Sequence, residues 1–149
     1  MDAPRALRPV GPNTELVRTV LDRLAAAGVD WAPRFLGVEA GHEVLTWLPG
    51  APADDWRVQP NRLDRLCRIV RRLHDLTART VGGGECAVHD DLQPRNVVVA
   101  ADGRLGLVDW DQLRPGRRAE DVAQLCWSFT GPAKLQALRS IKLRYITSW

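Results

Sequence analysis

Hydrophobic and polar positions follow two different periods along the chain, and together they predict an order of helices and hairpins. Three segments carry apolar residues at helical spacing, and they cover residues 14–27, 63–73 and 122–129. Two pairs of short apolar runs flank tight turns and predict β-hairpins, the first from 35–38 with 44–48 and the second from 96–100 with 104–111. The predicted order is helix, hairpin, helix, hairpin, helix, with a further helix towards the C-terminus.

The composition is that of one ordinary globular domain. The chain has 149 residues, of which 45% are hydrophobic and 26% are charged, so it is long enough to bury a core. The net charge of +3 is mild, and the arginines are dispersed rather than gathered into one basic run, which argues against a nucleic-acid partner.

Cysteine usage and the lack of long apolar runs predict the compartment. Cys67, Cys86 and Cys126 show no metal-binding spacing and are odd in number, so we interpret them as reduced thiols. The N-terminal residues contain no apolar core of signal-peptide length, and no apolar run reaches the roughly 18 residues of a membrane span. We therefore expect a soluble, cytoplasmic protein with no membrane partner.

The stretch "VHDDLQPRNVVV" at 88–99 sets a polar cluster directly against a buried strand. Asp91 and Asn96 precede the first strand of the second hairpin, while Asp109 and Asp111 follow the second strand. An antiparallel turn therefore brings Asn96 and Asp109 alongside each other. Oxygen ligands of this kind, too few to enclose a metal, suit a magnesium ion that takes further ligands from phosphates. An aspartate beside such an ion can accept a proton from an attacking hydroxyl.

Two motifs at this spacing resemble the catalytic core of the aminoglycoside phosphotransferase and choline-kinase-like enzymes, which are relatives of the protein kinases. The first is H-x-D-x-x-x-x-N at 89–96, and the second is "DWD" at 109–111. The likeness extends over about residues 9–127. It implies an α+β, protein-kinase-like fold with a helical large lobe and a β-hairpin catalytic loop. It also implies transfer of the γ-phosphoryl group of ATP to a hydroxyl of a small molecule, with ATP and Mg²⁺ as cofactors.

The resemblance assigns roles to individual residues of the two motifs. Asp91 resembles the catalytic base, and His89 resembles the residue that braces the catalytic loop. The magnesium ligands would be Asn96 and Asp109, and Asp111 is a further candidate ligand or a residue that only caps the loop.

The resemblance also places the nucleotide. The segment "LTWLPG" resembles the hinge between the lobes, where the backbone of Thr46, Trp47 and Leu48 would contact adenine. Arg8 stands where the family carries a phosphate-pairing cation, and Glu15 is the helix carboxylate that would pair with it.

Four further residues near the motifs receive an interpretation. Asp121 resembles an aspartate that opens a helix and steadies the catalytic loop. Asp90 replaces a glycine of the family and is interpreted as a solvated loop residue rather than a second base. His74 is interpreted as a half-buried packing residue, and Trp110 as a core aromatic that fixes the loop.

The sequence predicts a partial small lobe with the hinge at 1–48 and a helical large lobe at 49–149. A Gly-rich strand pair over the phosphates is absent from it, so the chain resembles the middle of an enzyme. Only two small-lobe strands are predicted, and a two-stranded hairpin is marginal in water. The apolar stripe of Leu16, Val20 and Leu24 is therefore expected to stay partly uncovered and to drive self-association.

Two other functions stay open on the sequence. An inactive kinase-like binding module, or a gene fragment without catalysis, would explain the missing nucleotide cover. A metal phosphohydrolase would use His74 and His89 with the aspartates that follow them. That enzyme needs a third histidine, and the remaining one, His42, lies in a hairpin turn.

The acceptor is not identified by the sequence. A polycationic aminoglycoside would favour acidic walls, whereas the segment 131–149 is basic. Choline would call for an aromatic cage, and nothing in the sequence shows the six tryptophans converging.

Overall fold

The computed structural model describes residues 4–52, 60–129, 141, 143, 145 and 146. In chain order the elements are β1 (Arg5–Pro9), α1 (Thr14–Ala26), β2 (Phe35–Glu39), β3 (His42–Thr46), β4 (Ala51–Pro52), α2 (Pro60–Thr77), β5 (Cys86–Val88), β6 (Val97–Val99), β7 (Leu105–Leu107), β8 (Arg114–Gly116) and α3 (Arg118–Phe129). A 3-10 turn at Pro94–Asn96 leads directly into β6. The three predicted helices and both predicted hairpins are present.

The first sheet has the strand order β1-β3-β2, with antiparallel pairing throughout. Strand β1 pairs with β3 in the register Leu7↔Val44, so the small-lobe part has three strands in the described residues and not the predicted two. The sequence "RALRP" hides this strand because it is short and ends in proline. Its two arginines and lone leucine do not form the apolar alternation of a half-buried strand.

The stripe on α1 is covered, contrary to the expectation from sequence. Val20 and Leu24 are fully buried, and Leu16 is half-buried against the core. One apolar cluster joins α1 and β3 to α2 and α3, for example through Leu21, Leu45, Leu66 and Leu125. Helix α1 therefore buries its apolar face in this shared core, where it packs against α2, and such packing supplies most of a helix's stability.

The second sheet, with the order β4-β6-β7, presents the two motifs. Its hairpin has the register Val97↔Leu107, so the residues just outside both ends of β6 and β7 lie side by side. Leu48 packs over this hairpin at Gly106, where an added Cβ would lie 3.1 Å from its Cδ1 atom. Within the described ranges, no helix combines the length and apolar character that a membrane span requires.

The pair β5 and β8 supports the start of the catalytic loop, and it depends on a close approach of two glycines. A Cβ at Gly84 would lie 2.4 Å from the backbone nitrogen of Gly116 and 2.9 Å from the carbonyl carbon of Pro115. Glu85 donates its backbone N–H to the Gly116 carbonyl at 2.9 Å. Only a residue without a side chain therefore fits at position 84.

We predict that Gly84→Ala lowers the free energy of unfolding by about 1–3 kcal/mol, because the methyl group meets backbone that cannot move alone. The matched control is Gly82→Ala, since a Cβ at Gly82 meets nothing within 4 Å. Urea unfolding followed by circular dichroism measures both. Equal stability of the two variants would show that the backbone of Gly116 does not approach Gly84 this closely.

Candidate active site

The predicted base and the first predicted metal ligand are in direct contact. Asn96 is buried and donates from Nδ2 to the Asp91 carbonyl at 2.9 Å and to Asp91 Oδ2 at 2.7 Å. Gln93 donates from Nε2 to Asp91 Oδ1. Because Nδ2 points to Asp91, the Oδ1 atom of Asn96 is the one left for a cation.

The second predicted ligand adjoins the first through the backbone. Val108 donates its N–H to the Asn96 carbonyl at 2.9 Å, and Asp109 follows in a left-handed conformation with φ 64°. Partial burial and the neighbouring carboxylates of Asp111 and Asp91 raise the pKa of Asp109 above its usual range. No side chain or backbone group among the described residues hydrogen-bonds to its carboxylate. Three carboxylates are thus close together in this site, and that of Asp109 has no partner among the described residues.

His89 lies behind residues 108–111, the loop that follows β7 and contains Asp109. We call this segment the metal-side loop, and the His89 ring braces it. The ring is fully buried, Nε2 lies 3.1 Å from the Val108 carbonyl, and the ring meets Trp110 edge-on at 5.0 Å between centroids. Burial lowers the pKa of His89, although the charge of Asp121 opposes this effect. A carbonyl accepts only from an N–H, so the neutral ring carries its proton on Nε2. Trp110 is a core aromatic, as the sequence predicted.

Asp121, the residue that resembles a loop-steadying aspartate, binds the start of the catalytic loop directly. Its side chain is fully buried and accepts hydrogen bonds from the backbone N–H of His89 and of Asp90, each at 3.0 Å. His74 Nε2 lies 2.8 Å from the same carboxylate, and its Nδ1 lies 2.7 Å from Tyr145 Oη. The interpretation of His74 as half-buried packing was therefore wrong, because it is fully buried and hydrogen-bonded at both nitrogens.

Asp90 is not a solvated loop residue, contrary to the sequence interpretation. Its backbone takes the left-handed φ of 61°, which a glycine adopts easily and an aspartate tolerates. The carboxylate accepts from Arg114 at Nε (2.6 Å) and Nη2 (3.0 Å), and from Gln124 Nε2 at 3.0 Å. Glu120 also pairs with Arg114. These bonds tie the residue before the base to β8 and α3.

Arg8 bridges the first sheet and the metal-side loop. It forms ion pairs with Glu43 on β3 and with Asp111, and the buried Glu43 accepts a further hydrogen bond from Thr14 Oγ1. The predicted helix partner was wrong, because the Glu15 side chain is 82% exposed and lies near Arg18. Asp111 is therefore held by a cation in this structure, unlike Asp109.

The predicted hinge lies between the two sheets, and two of its donors are occupied. Thr46 donates its N–H to the Arg34 carbonyl at 3.0 Å, and Trp47 donates to the Pro4 carbonyl at 3.1 Å. An adenine contact would therefore use carbonyl oxygens of this segment or the backbone of Leu48.

A cleft of about 830 Å³ opens beside the predicted base. It is lined by the loop residues Asp90, Asp91 and Gln93 and by Gln124 and Trp127 of α3. The base thus faces a space that could hold a small molecule.

The histidines do not form the metal centre of a phosphohydrolase. His74 binds Asp121 and His89 binds the Val108 carbonyl, while His42 lies 3.0 Å from the Ala40 carbonyl in the first hairpin. In the described part of the chain, no three His, Cys, Asp or Glu side chains are grouped to hold a metal ion.

Sequence reasoning missed Glu43 and Arg114, which hold Arg8 and Asp90 respectively. Glu43 carries a signal that could have been noticed, since it stands at the start of an apolar run where a buried charge requires a partner. Arg114 carries no such signal, because it is one of many arginines.

The fold is the protein-kinase-like fold. The choline kinase LicA from Streptococcus pneumoniae matches with a TM-score of 0.67 and 18% identity, over 97% of this chain and 68% of that one. The Plasmodium vivax ethanolamine kinase matches with a TM-score of 0.66 and 13% identity, over 98% and 67%. The macrolide 2'-phosphotransferase MphH from Brachybacterium faecium matches with a TM-score of 0.62 and 15% identity, over 97% and 69%.

The sequence comparisons agree with the fold. Residues 77–147, which contain both motifs, match the phosphotransferase enzyme family, APH. This match covers just under half of the chain and agrees with the resemblance to the aminoglycoside phosphotransferase and choline-kinase-like enzymes. The chain is also 30% identical over 139 residues to the trifolitoxin immunity protein of Rhizobium leguminosarum bv. trifolii. It spans about half of that relative, since the match covers 80% of this chain and 53% of the relative.

We predict that Asp121→Asn lowers the free energy of unfolding by about 1–3 kcal/mol, because an amide cannot accept from all three donors that the carboxylate satisfies. Urea unfolding measures the loss, and hydrogen exchange should show faster exchange at the amides of His89 and Asp90. The control is Asp22→Asn on the exposed face of α1, where the carboxylate is 58% exposed. Unchanged exchange at both amides would contradict the anchoring role of Asp121.

A second prediction concerns the charge on Asp109 in the absence of metal. The folded protein raises the pKa of Asp109 above its ordinary value of 3.8, so folding favours the protonated form and stability falls as pH rises through the raised value. Asp109→Asn should therefore be more stable than the wild type at pH 7 in EDTA, and the difference should vanish near pH 3. Thermal unfolding across this range measures it, and a variant less stable at pH 7 would contradict the crowding of carboxylates.

Proposed function

We propose that the protein transfers the γ-phosphoryl group of ATP to a hydroxyl group of a small molecule. The observation that carries this proposal is the contact between Asp91 and Asn96, joined through the backbone of Val108 to Asp109. These residues occupy the positions of the base and the metal ligands in the motifs, and they lie within the match to the phosphotransferase family. A cleft beside Asp91 gives room for the acceptor.

Asp91 would orient the acceptor hydroxyl and take its proton. Asn96 and Gln93 each donate a hydrogen bond to one oxygen of Asp91, which fixes the plane of the carboxylate. Arg95 Nη2 also lies 3.4 Å from Oδ2, so Oδ1 is the oxygen that retains a second acceptor position for the hydroxyl. The backbone of the preceding residue is anchored to Asp121, so the base stands on a rigid support.

The donor set fits a magnesium ion. Asp109 offers a carboxylate without a protein partner, whose pKa is raised by burial and by two further carboxylates, and Asn96 offers Oδ1. When bound, the ion would neutralise charge on the phosphates during transfer. Asp111 would join these ligands only by exchanging its ion pair with Arg8.

ATP would lie between the first sheet and the second hairpin. The structure of LicA in complex with AMP matches this chain with a TM-score of 0.61 and supports nucleotide binding in this fold. Arg8 would reach the phosphates, since its guanidinium adjoins the metal-side loop through Asp111. Thr46, Trp47 and Leu48 would contact the adenine through the groups that their internal hydrogen bonds leave open.

The alternative is a kinase-like binding module without catalysis. The observation that favours it is that Arg8, the residue expected to pair with phosphate, already forms ion pairs with two carboxylates of the protein itself. Both functions require ATP binding, and isothermal titration with ATP, with and without Mg²⁺, shows whether the protein binds the nucleotide at all. Binding of ATP without ADP release in the presence of any tested acceptor would favour the binding module.

The acceptor would be identified by screening. An ADP-release assay against sugars, aminoglycosides, choline and homoserine tests the acceptor chemistries that this fold's cleft could hold.

The buried thiols Cys67, Cys86 and Cys126 accord with the reducing cytoplasm that we propose as the compartment. Self-association is also proposed, now through the exposed apolar side chains of Leu7, Leu36 and Val38 on the first sheet.

The roles of the two aspartates make distinct predictions. Asp91→Asn keeps the size of the side chain and removes the base, although its amide can accept only one of the two hydrogen bonds that Asn96 and Gln93 donate to the carboxylate. We expect kcat to fall by roughly 100-fold or more while the Kd for MgATP changes little. Asp109→Ala removes a metal ligand, so the Kd for MgATP should rise. Steady-state kinetics and isothermal titration measure both variants, and equal loss of MgATP binding in the two would contradict the division of roles.

A further inference from the structure

A second cleft lies between the loop after α1 and helix α2, away from the candidate active site, and four arginines line it. It has a volume of about 370 Å³, and its charged lining comprises Arg65, Arg68, Arg72, Arg104 and Asp30. Trp31, Ile69 and Leu105 complete the described lining and are buried or half-buried. We call it the arginine cleft. It shares no described residue with the cleft beside Asp91.

Three of these arginines come from one face of α2. Arg65, Arg68 and Arg72 follow each other at spacings of three and four residues, which places them in a row about 10 Å long on an α-helix. All three are exposed, and none of them has a hydrogen bond or ion pair with any residue that the structure describes. The apolar residues of α2 that the core requires lie on other positions, so burial does not explain the row.

The charge of this row is not balanced by the neighbouring carboxylates. Arg104 binds Asp102 at 2.7 Å and lies 3.6 Å from Asp30, so these two nearby carboxylates pair with the fourth arginine and not with the row. Like charges three and four residues apart on a helix repel each other and destabilise it. The row therefore destabilises α2 unless an anion occupies the cleft.

We propose that the arginine cleft binds a small molecule that carries two or more phosphate groups. Guanidinium groups present a planar pair of donors that matches phosphate oxygens, and a row of three suits successive phosphates better than one isolated anion. The volume suits a small ligand, and the ring of Trp31 with Ile69 and Leu105 gives the cleft an apolar floor. This binding is independent of the proposed phosphotransfer reaction.

The cleft adjoins the strand that leads to the metal-side loop. The Trp31 carbonyl accepts a hydrogen bond from the Leu107 N–H at 2.7 Å, and Asp109 follows two residues later. A ligand against Trp31 and Leu105 therefore contacts β7, which is the edge strand in the order β4-β6-β7.

Isothermal titration of the whole protein with inorganic triphosphate in EDTA tests the proposal, because the chelator removes metal-dependent binding at the candidate active site. We expect one site per chain, with the Kd raised at least about tenfold in Arg68→Gln and in Arg72→Gln. Arg117→Gln is the matched control, since it removes the same charge from an exposed position outside the cleft.

Thermal unfolding keeps the test independent of folding defects. Without ligand, Arg68→Gln should unfold at the wild-type temperature or slightly above it, because like-charge repulsion is relieved, while the shift caused by triphosphate should be lost. Triphosphate binding that survives in Arg68→Gln and Arg72→Gln, or that is equally weakened in Arg117→Gln, would overturn the proposal. Tighter binding of duplex DNA than of triphosphate at equal ionic strength would overturn the assignment to a small ligand.

Discussion

The buried carboxylate of Asp121 is the interaction on which the candidate active site depends. It accepts two backbone N–H groups from the start of the catalytic loop and lies against His74 in a fully buried position. Leaving any of these donors without a partner would cost more than the hydrogen bond contributes, because water cannot replace the carboxylate there. The path of the chain from β5 to the predicted base Asp91 therefore depends on one side chain of α3.

Charge is distributed unevenly around this anchored loop. Asp90 and Asp111 are neutralised by Arg114 and Arg8, whereas Asp109 has no such partner among the described residues. The protein thus compensates the carboxylates that shape the loop and leaves one that can bind a cation. Uncompensated charge at a defined position is typical of a functional site, since structural carboxylates are normally paired.

Arg8 connects the first sheet to the loop that follows β7. Its guanidinium contacts Glu43 on β3 and Asp111 beyond β7, and Thr14 links Glu43 to the start of α1. The same cation would be needed for phosphates in the proposed reaction. Nucleotide binding and the contact between the two parts would then compete for one side chain, which makes their relative position sensitive to the ligand.

The local features of this protein are determined by the sequence alone. Helical spacing of apolar residues predicts α1, α2 and α3, and the apolar runs within "NVVVA" and "RLGLVDWD", on either side of a tight turn, predict the second hairpin. Because a hairpin has a fixed register, the neighbourhood of Asn96 and Asp109 also follows from sequence. These features depend on residues close together along the chain.

Only the tertiary structure decided the partners of the charged residues. Strand β1 forms because β3 offers an edge, although "RALRP" has no strand pattern of its own. Arg8 pairs with Asp111 across 103 positions, Asp90 pairs with Arg114, and His74 is buried between Asp121 and Tyr145. Any of the many arginines could satisfy an aspartate by chemistry alone. The choice among them depends on which elements pack together, and that packing is set by the summed burial of the core rather than by any local pattern.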